Sequence, residues 1–373
     1  MGRGAGWGRR LGSFVFAICL LVSTTACATP PAPAPIAAPS PVPPTAAPSP
    51  TEIVSTEIAV ATATTAMTPP AETATEASTA TPPLSPSPSA IAIPPTSLAA
   101  VGVMIDNDPR ARPQSGLNAA DVIYEVVAEF DLTRFLAIYF ANAPTMVGSI
   151  RSTRPYFAMA MTEYGGGLVH CLDVPGVTNL LSLGSIFDYD LCRGSGDEAA
   201  VRTTNRVAPF KLYVDARQLA DELNKHPVRS APALLRRVPL ANGGTSVTHV
   251  EIAHPDPHVP AWDWNGSAYL RQQDSHPHLD ESGAQISTDV IVVQRAEEQP
   301  TRYFGEAGYH FVSLIGSGDG TVFAGGSAPV RWSRAAVTSP TVLIDSLGVP
   351  FFLPPGRVFI EIVPPAAKIT STG

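Results

Sequence analysis

The sequence predicts an α+β protein: a mixed α/β domain followed by a mostly β domain, set behind an export signal and a disordered Pro/Ala/Thr linker. Three observations carry this prediction. The chain opens on arginines followed by an apolar run; a long stretch of Pro, Ala, Thr and Ser comes next; and the rest alternates strand and helix patterns before turning to short strands alone. The boundaries are 1–27 for a lipoprotein signal peptide, 28–97 for the linker, 98–244 for the α/β domain and 245–373 for the mostly β domain.

In the leader, Arg3, Arg9 and Arg10 precede the apolar run Leu11 to Val22, which ends in small residues before Cys27. At about 12 residues the run is short of the ~20 that span a bilayer. Ser23-Thr24-Thr25-Ala26-Cys27 resembles a bacterial lipobox, which makes Cys27 the lipidation residue; a simple cleaved secretory signal is the alternative. Between residues 28 and 97 the only charges are Glu52, Glu57, Glu72 and Glu76. Such a segment buries too little apolar surface to offset its ordering entropy, which predicts a tether. At about 3.1 Å per residue in polyproline II geometry, it reaches up to roughly 200 Å. The expected location is the extracytoplasmic face of a bacterial cell membrane, with the lipid anchor making the membrane a partner.

The formal net charge of −8 becomes −11 once the three arginines of the signal are gone. An acidic body argues against nucleic acid as a partner. Lys211, Lys225 and Lys368 are the only lysines, so arginine richness alone is no sign of a phosphate site. Of the four cysteines, Cys19 lies in the signal and Cys27 is the lipid candidate. Cys171 and Cys192 remain, and in an exported domain they are either a disulfide or two buried thiols.

Val101 to Ile105 reads as a buried strand closed by the turn Asp106-Asn107-Asp108-Pro109. Asn118 with Asp121 suggests one helical turn. Val122 to Ala128 and Thr133 to Ala141 then form a hairpin, with Val147 to Ser152 as its third strand. Period-two alternation puts Glu125 and Glu129 on one face. Pro155 opens a helix over Tyr156 to Tyr164, setting Arg151 and Arg154 at a strand-to-helix corner. Leu168 to Cys171 is a further strand and Ala216 to Asn224 a helix. Past Gly243-Gly244 the strands are Ala268 to Arg271, Asp289 to Gln294, Tyr309 to Leu314, Val330 to Ser333, Val342 to Ile344 and Val358 to Val363, with Gly316-Ser317-Gly318-Asp319-Gly320 as a break.

The chemistry concentrates between Met104 and Arg154. Guanidinium forks bind carboxylate or phosphate bidentately, so Arg112, Arg134, Arg151 and Arg154 in one cleft would suit an anionic ligand, with Asp106, Asn107, Gln114, Asp121 and Glu125 shaping it. The other reading is that these arginines pair internally with Asp106, Asp121, Glu125 and Glu129. His254-Pro255-Asp256-Pro257-His258 and His276-Pro277-His278-Leu279-Asp280 offer zinc-ligand types, but proline interrupts both runs and no cysteine joins them, so neither a metal nor a cofactor is assigned. A Ser or Cys nucleophile with its base cannot be assembled, and His170 reads as a core or rim residue.

Met104-Ile105-Asp106-Asn107, Ala111 to Leu117, Ala120-Asp121, Tyr124-Glu125, Thr133-Arg134-Phe135 and Gly148 to Pro155 together resemble the signature of the YerB-like bacterial lipoproteins, an exported two-domain family of unknown function. Tyr269-Leu270-Arg271, His278-Leu279-Asp280 and Leu353 to Ile360 are similar to that family's C-terminal domain. The resemblance covers 98 to 365 and implies an envelope lipoprotein without supplying a reaction. Two positions depart from the pattern: Asp108 and Phe210 stand where the family has histidine. The resulting expectation is a membrane-anchored binding protein for an anionic cell-wall component or an envelope protein. The alternative is a phosphotransferase or hydrolase acting on wall precursors in the same cleft, a pattern faintly similar to the LytR-CpsA-Psr phosphotransferases, with Asp106 or Asp121 as metal holder or base.

Overall fold

The computed structural model describes residues 99–140, 142–226, 246–253 and 259–373. The signal, the linker, Cys27, the Gly243-Gly244 boundary and the His254 to His258 run lie outside the described residues.

A thirteen-stranded sheet organises the fold, and its order ignores the sequence division into halves. The predicted hairpin forms from Val122–Glu129 and Leu132–Tyr139, and Leu132–Tyr139 pairs on its other side with Val101–Asp106. Val122–Glu129 takes Val358–Val363 as a parallel neighbour, which in turn lies parallel to Val290–Arg295. Strands from the two ends of the fold are therefore hydrogen-bonded at the middle of one sheet, and this register sets Glu125 beside Glu361.

The central strands of the sheet are buried on both faces, which explains why they read as nearly continuous apolar runs. One face carries Met104, Tyr124, Leu136 and Ile138 against the Pro155–Met161 and Val177–Gly184 helices. The other carries Val103, Ile105, Phe135 and Phe359 against the Ala216–Leu223 helix and a six-stranded sheet that contributes Trp262 and Tyr269. With three helices of seven or eight residues among the described elements, the class is α+β with a mostly β C-terminal region.

Three expectations are corrected. Val147–Gly148 is only a two-residue strand and pairs with Leu212–Val214; the rest of the predicted third strand meets Val101–Asp106 through a single bridge, Ile150 with Ile105, because Gly167–His170 takes Val101 to Val103 on that edge. The glycine run is not a break but the start of the Gly316–Phe323 strand. A β-carbon on Gly318 would stand 2.4 Å from Arg295 O, and one on Gly320 2.7 Å from Val293 O, so glycine here marks close backbone approach. Finally, a bulge between Val127 and Glu129 breaks the alternation, and Glu125 and Glu129 enter separate networks.

Candidate functional site

Three networks take up the sequence-predicted residues other than Asp121. The first is a closed ring inside the fold. Arg271, fully buried, faces Glu125 Oε2 at 2.8 Å and Glu361 Oε1 at 3.2 Å, and Trp262 Nε1 also donates to Glu361 Oε1, at 3.2 Å. The guanidinium sits over the rings of Phe135, Trp262 and Phe359 at 5.1 to 5.5 Å. Its remaining donors go to Gln273 Oε1 (2.9 Å) and His278 Nδ1 (3.1 Å).

This last bond settles the direction of the whole ring. Arginine can only donate, so His278 Nδ1 accepts and its proton lies on Nε2. Nε2 then donates to Gln114 Oε1 at 2.8 Å, and Gln114 Nε2 donates to Asn107 Oδ1 at 3.3 Å. Asn107 Nδ2 donates to Thr133 Oγ1 (2.8 Å) and to Glu125 Oε1 (3.2 Å), closing the circuit on the carboxylate that Arg271 holds. Burial, and next the positive charges of Arg271 and Arg112, keep His278 well below the usual histidine pKa, consistent with one ring proton.

The ring also joins the two motif blocks. Asp280 Oδ2 accepts from the amides of Gly116 (3.0 Å) and Leu117 (3.1 Å), and Glu281 N donates to Gln114 O at 2.7 Å. The Arg112 to Leu117 motif and the His278 to Asp280 motif are two sides of one seam.

The second network lies on the helix face. Glu129 is gripped by both Arg134 and Arg154, the latter at 2.6 Å, and Arg154 lies over the Tyr309 ring at 5.3 Å. The other guanidinium arms donate to Ser152 O (2.8 Å) and Thr153 O (2.7 Å), so these two arginines brace the corner before the Pro155–Met161 helix.

The third network reaches the surface. Consecutive residues Asp106, Asn107 and Asp108 each hold one arginine: Asp106 Oδ2 lies 2.7 Å from Arg151 Nε, Asn107 O accepts from Arg112 Nη2 at 2.9 Å, and Asp108 Oδ2 from Arg110 Nη2 at 2.7 Å. Arg110 and Arg151 lie over the same Phe210 ring, at 5.1 and 5.7 Å. Arg110 is 75% exposed and Arg151 28%, whereas Arg112 turns inward and bonds Asp274 at 3.2 Å. The Arg110 guanidinium holds the Asp108 carboxyl below the usual carboxylate range, against the opposing effect of burial. Asp108 and Phe210 thus meet at one rim through Arg110.

The four predicted arginines do not share a cleft: Arg134 and Arg154 stay with Glu129, Arg112 backs the buried ring, and Arg151 stands at the rim. Asp121 is apart from all of them, accepting from Phe140 N at 2.9 Å just ahead of the strand that carries Glu125. Cys171 and Cys192 are disulfide-bonded. His170 is buried and bonds Asp188 at 2.8 Å, while His276 is exposed and turned to Asp274 O, away from His278. Arg271, Glu361 and Phe210 have no chemistry assigned from the sequence, and His278 enters there only as a zinc-ligand type, although Arg271 and His278 stand inside recognisable motifs. A cavity of about 650 Å³ flanks the seam, lined by Ser115, Met146, Thr203, Asn205 and Glu281 among others, and none of the nine predicted residues lines it.

The motif blocks that fold together here are those of a family. Residues 92–229 match the N-terminal domain, and residues 250–360 the C-terminal domain, of a protein family of unknown function, DUF3048. YerB of Bacillus subtilis (strain 168), which bears a lipoprotein name, is 27% identical over 277 residues, covering 71% of this chain and 81% of that protein. The crystal structure of Bacillus subtilis YerB aligns with a TM-score of 0.62 at 25% identity, covering 73% of this chain and 94% of the other. The chain belongs to this YerB-like family.

Proposed function

We propose that the folded part is a binding module, held at the extracytoplasmic face of the membrane by lipid on Cys27, which receives an anionic group of an envelope component at the Arg110–Phe210–Arg151 rim. The lipoprotein name of the relative and the lipobox-like sequence support the anchor. The observation that carries the binding reading is the loop Asp106-Asn107-Asp108 presenting three arginines, two of them against one aromatic face. A phosphate or carboxylate would exchange the in-house carboxylates for a ligand while the Phe210 ring keeps both guanidinium planes in place. The buried ring and the Glu129 clamp hold this loop rigid from behind, which limits the ordering cost of binding.

The test is calorimetric titration of the mature chain with a phosphorylated wall glycan and its dephosphorylated counterpart. The phosphorylated form alone is expected to bind, with affinity falling about tenfold or more in Arg110→Ala/Arg151→Ala. Equal binding of both glycans by that double variant would move the site to the cavity lined by Asp280 and Glu281. Turnover of a polyprenyl-phosphate precursor that vanishes in Asp106→Asn would replace binding with catalysis.

A further inference from the structure

Among the described residues, three hairpins turn on two residues. Phe130-Asp131 joins the pair Glu129 and Leu132, Asp274-Ser275 joins Gln273 and His276, and Phe304-Gly305 joins Tyr303 and Glu306. Both turn residues have positive φ in every case, the geometry that selects Asn, Asp or Gly at the first position. Asp274 obeys that selection. The other two turns place phenylalanine there instead, at φ 51° and 55°.

Each of these phenylalanines is unfavourable twice over, in backbone conformation and in exposure, with Phe130 68% and Phe304 73% exposed. They also belong together. Glu129 pairs with Tyr309, Phe130 N donates to Gly308 O at 2.7 Å, and the Phe130 ring leans over the Gly308 α-carbon. Gly308 is about 10 Å along its strand from the Phe304-Gly305 turn at ~3.3 Å per residue. Asp131 is drawn to His310 at 3.3 Å, and Arg302 is exposed and bonded at the tip to Gly305 O at 3.2 Å, where a lipid phosphate could meet it.

We propose that the adjacent hairpin tips at Phe130 and Phe304 dip into the lipid surface to which the chain is tethered, setting the orientation of the fold. The proposal rests on the reading that Cys27 is lipidated. The chain between Cys27 and Ala99, about 70 residues, ends at that anchor and keeps the tips within some 200 Å of a bilayer. Size decides the occupant. Two phenyl rings supply at most a few hundred Å², well short of the ~1,200 Å² of a stable protein interface. Shallow insertion at a bilayer surface needs no shaped partner, and a second weak contact is sufficient where a lipid already holds the chain nearby.

The experiment uses the mature chain with Cys27→Ser, which cannot carry lipid, titrated with phosphatidylglycerol-containing vesicles whose acyl chains are brominated. An environment-sensitive fluorophore is placed at Phe304→Cys or, as control, at Leu347→Cys, a residue 85% exposed on another loop. Quenching at 304 but not at 347, and about tenfold weaker vesicle binding in Phe130→Asn, is the expected result. Equal quenching at both positions, or none at 304, overturns the proposal. Phe304→Asn supplies a second readout: an unchanged or higher unfolding temperature with vesicle binding lost supports a surface role, whereas a lowered temperature with binding retained makes the ring structural and overturns it. Mass analysis of the exported protein tests the anchor separately, since lipid missing from Cys27 would end that reading while the vesicle titration still decides this one.

Discussion

Arg271 and Arg151 have the same chemistry and different tasks. Both guanidinium groups lie against aromatic rings and face acidic side chains, yet Arg271 is fully buried with its donors absorbed by Glu125, Glu361, Gln273 and His278, whereas Arg151 stands 28% exposed at a rim. The difference teaches that burial, and not residue type or motif membership, decides whether an arginine is committed to the fold or free for a ligand. A buried charge must have its partners supplied by the chain, and losing one strands the others. A rim charge is screened by water and contributes little to stability, so its partners can be exchanged.

The largest expected effect breaks the buried side of the comparison. Arg271→Met leaves Glu125 and Glu361 adjacent and uncompensated, and should lower the unfolding free energy by about 3–5 kcal/mol in urea titrations. Adding Glu125→Gln and Glu361→Gln should recover part of that loss; a single variant as stable as the parent would mean that the ring is not structural.

A smaller effect is set by His278. Its folded pKa lies well below the 6.5 of an unfolded histidine, because of burial and two nearby arginines. Below about pH 6.5 the unfolded chain therefore binds a proton that the folded chain refuses, and stability falls as pH falls through that window, by at most ~1.4 kcal/mol per pH unit for one proton. Denaturation midpoints at several pH values check this: His278→Asn, whose amide oxygen can still accept from Arg271, should flatten the slope. A slope unchanged by that substitution would assign the acid sensitivity to other groups.

The smallest effect sharpens the rim side. Arg110→Ala should leave the thermal midpoint where it was, and Arg151→Ala, whose partner Asp106 is buried, should lower stability by about 1–3 kcal/mol. A loss comparable with that of Arg271→Met would make the rim a structural brace and remove the basis for ligand exchange.

How much of this was legible in the sequence differs from residue to residue. Val101 to Ile105, the Val122 to Ala141 hairpin and the Ala216 helix follow from local periodicity and turn residues, and all three form. Asp106, Asn107, Gln114 and Glu125 stand together in the fold as buried, hydrogen-bonded groups, because polar residues amid apolar strands must be paired once buried. Asp121 and Arg134 belong to the same stretch and go elsewhere: Arg134 adjoins Phe135, the residue paired with Glu125, and so points to the opposite face, while Asp121 lies ahead of the strand, about 13 Å along it from Glu125.

By itself the sequence determined the class of fold and the family, since periodicity and motif spacing are local properties. Only the tertiary structure decided which charges meet. Glu361 and Arg271 are far from Glu125 along the chain, and the parallel pairing of Val122–Glu129 with Val358–Val363 brings the two glutamates side by side under one guanidinium. Sheet register between distant strands depends on the packing of both faces at once, and no local pattern records it.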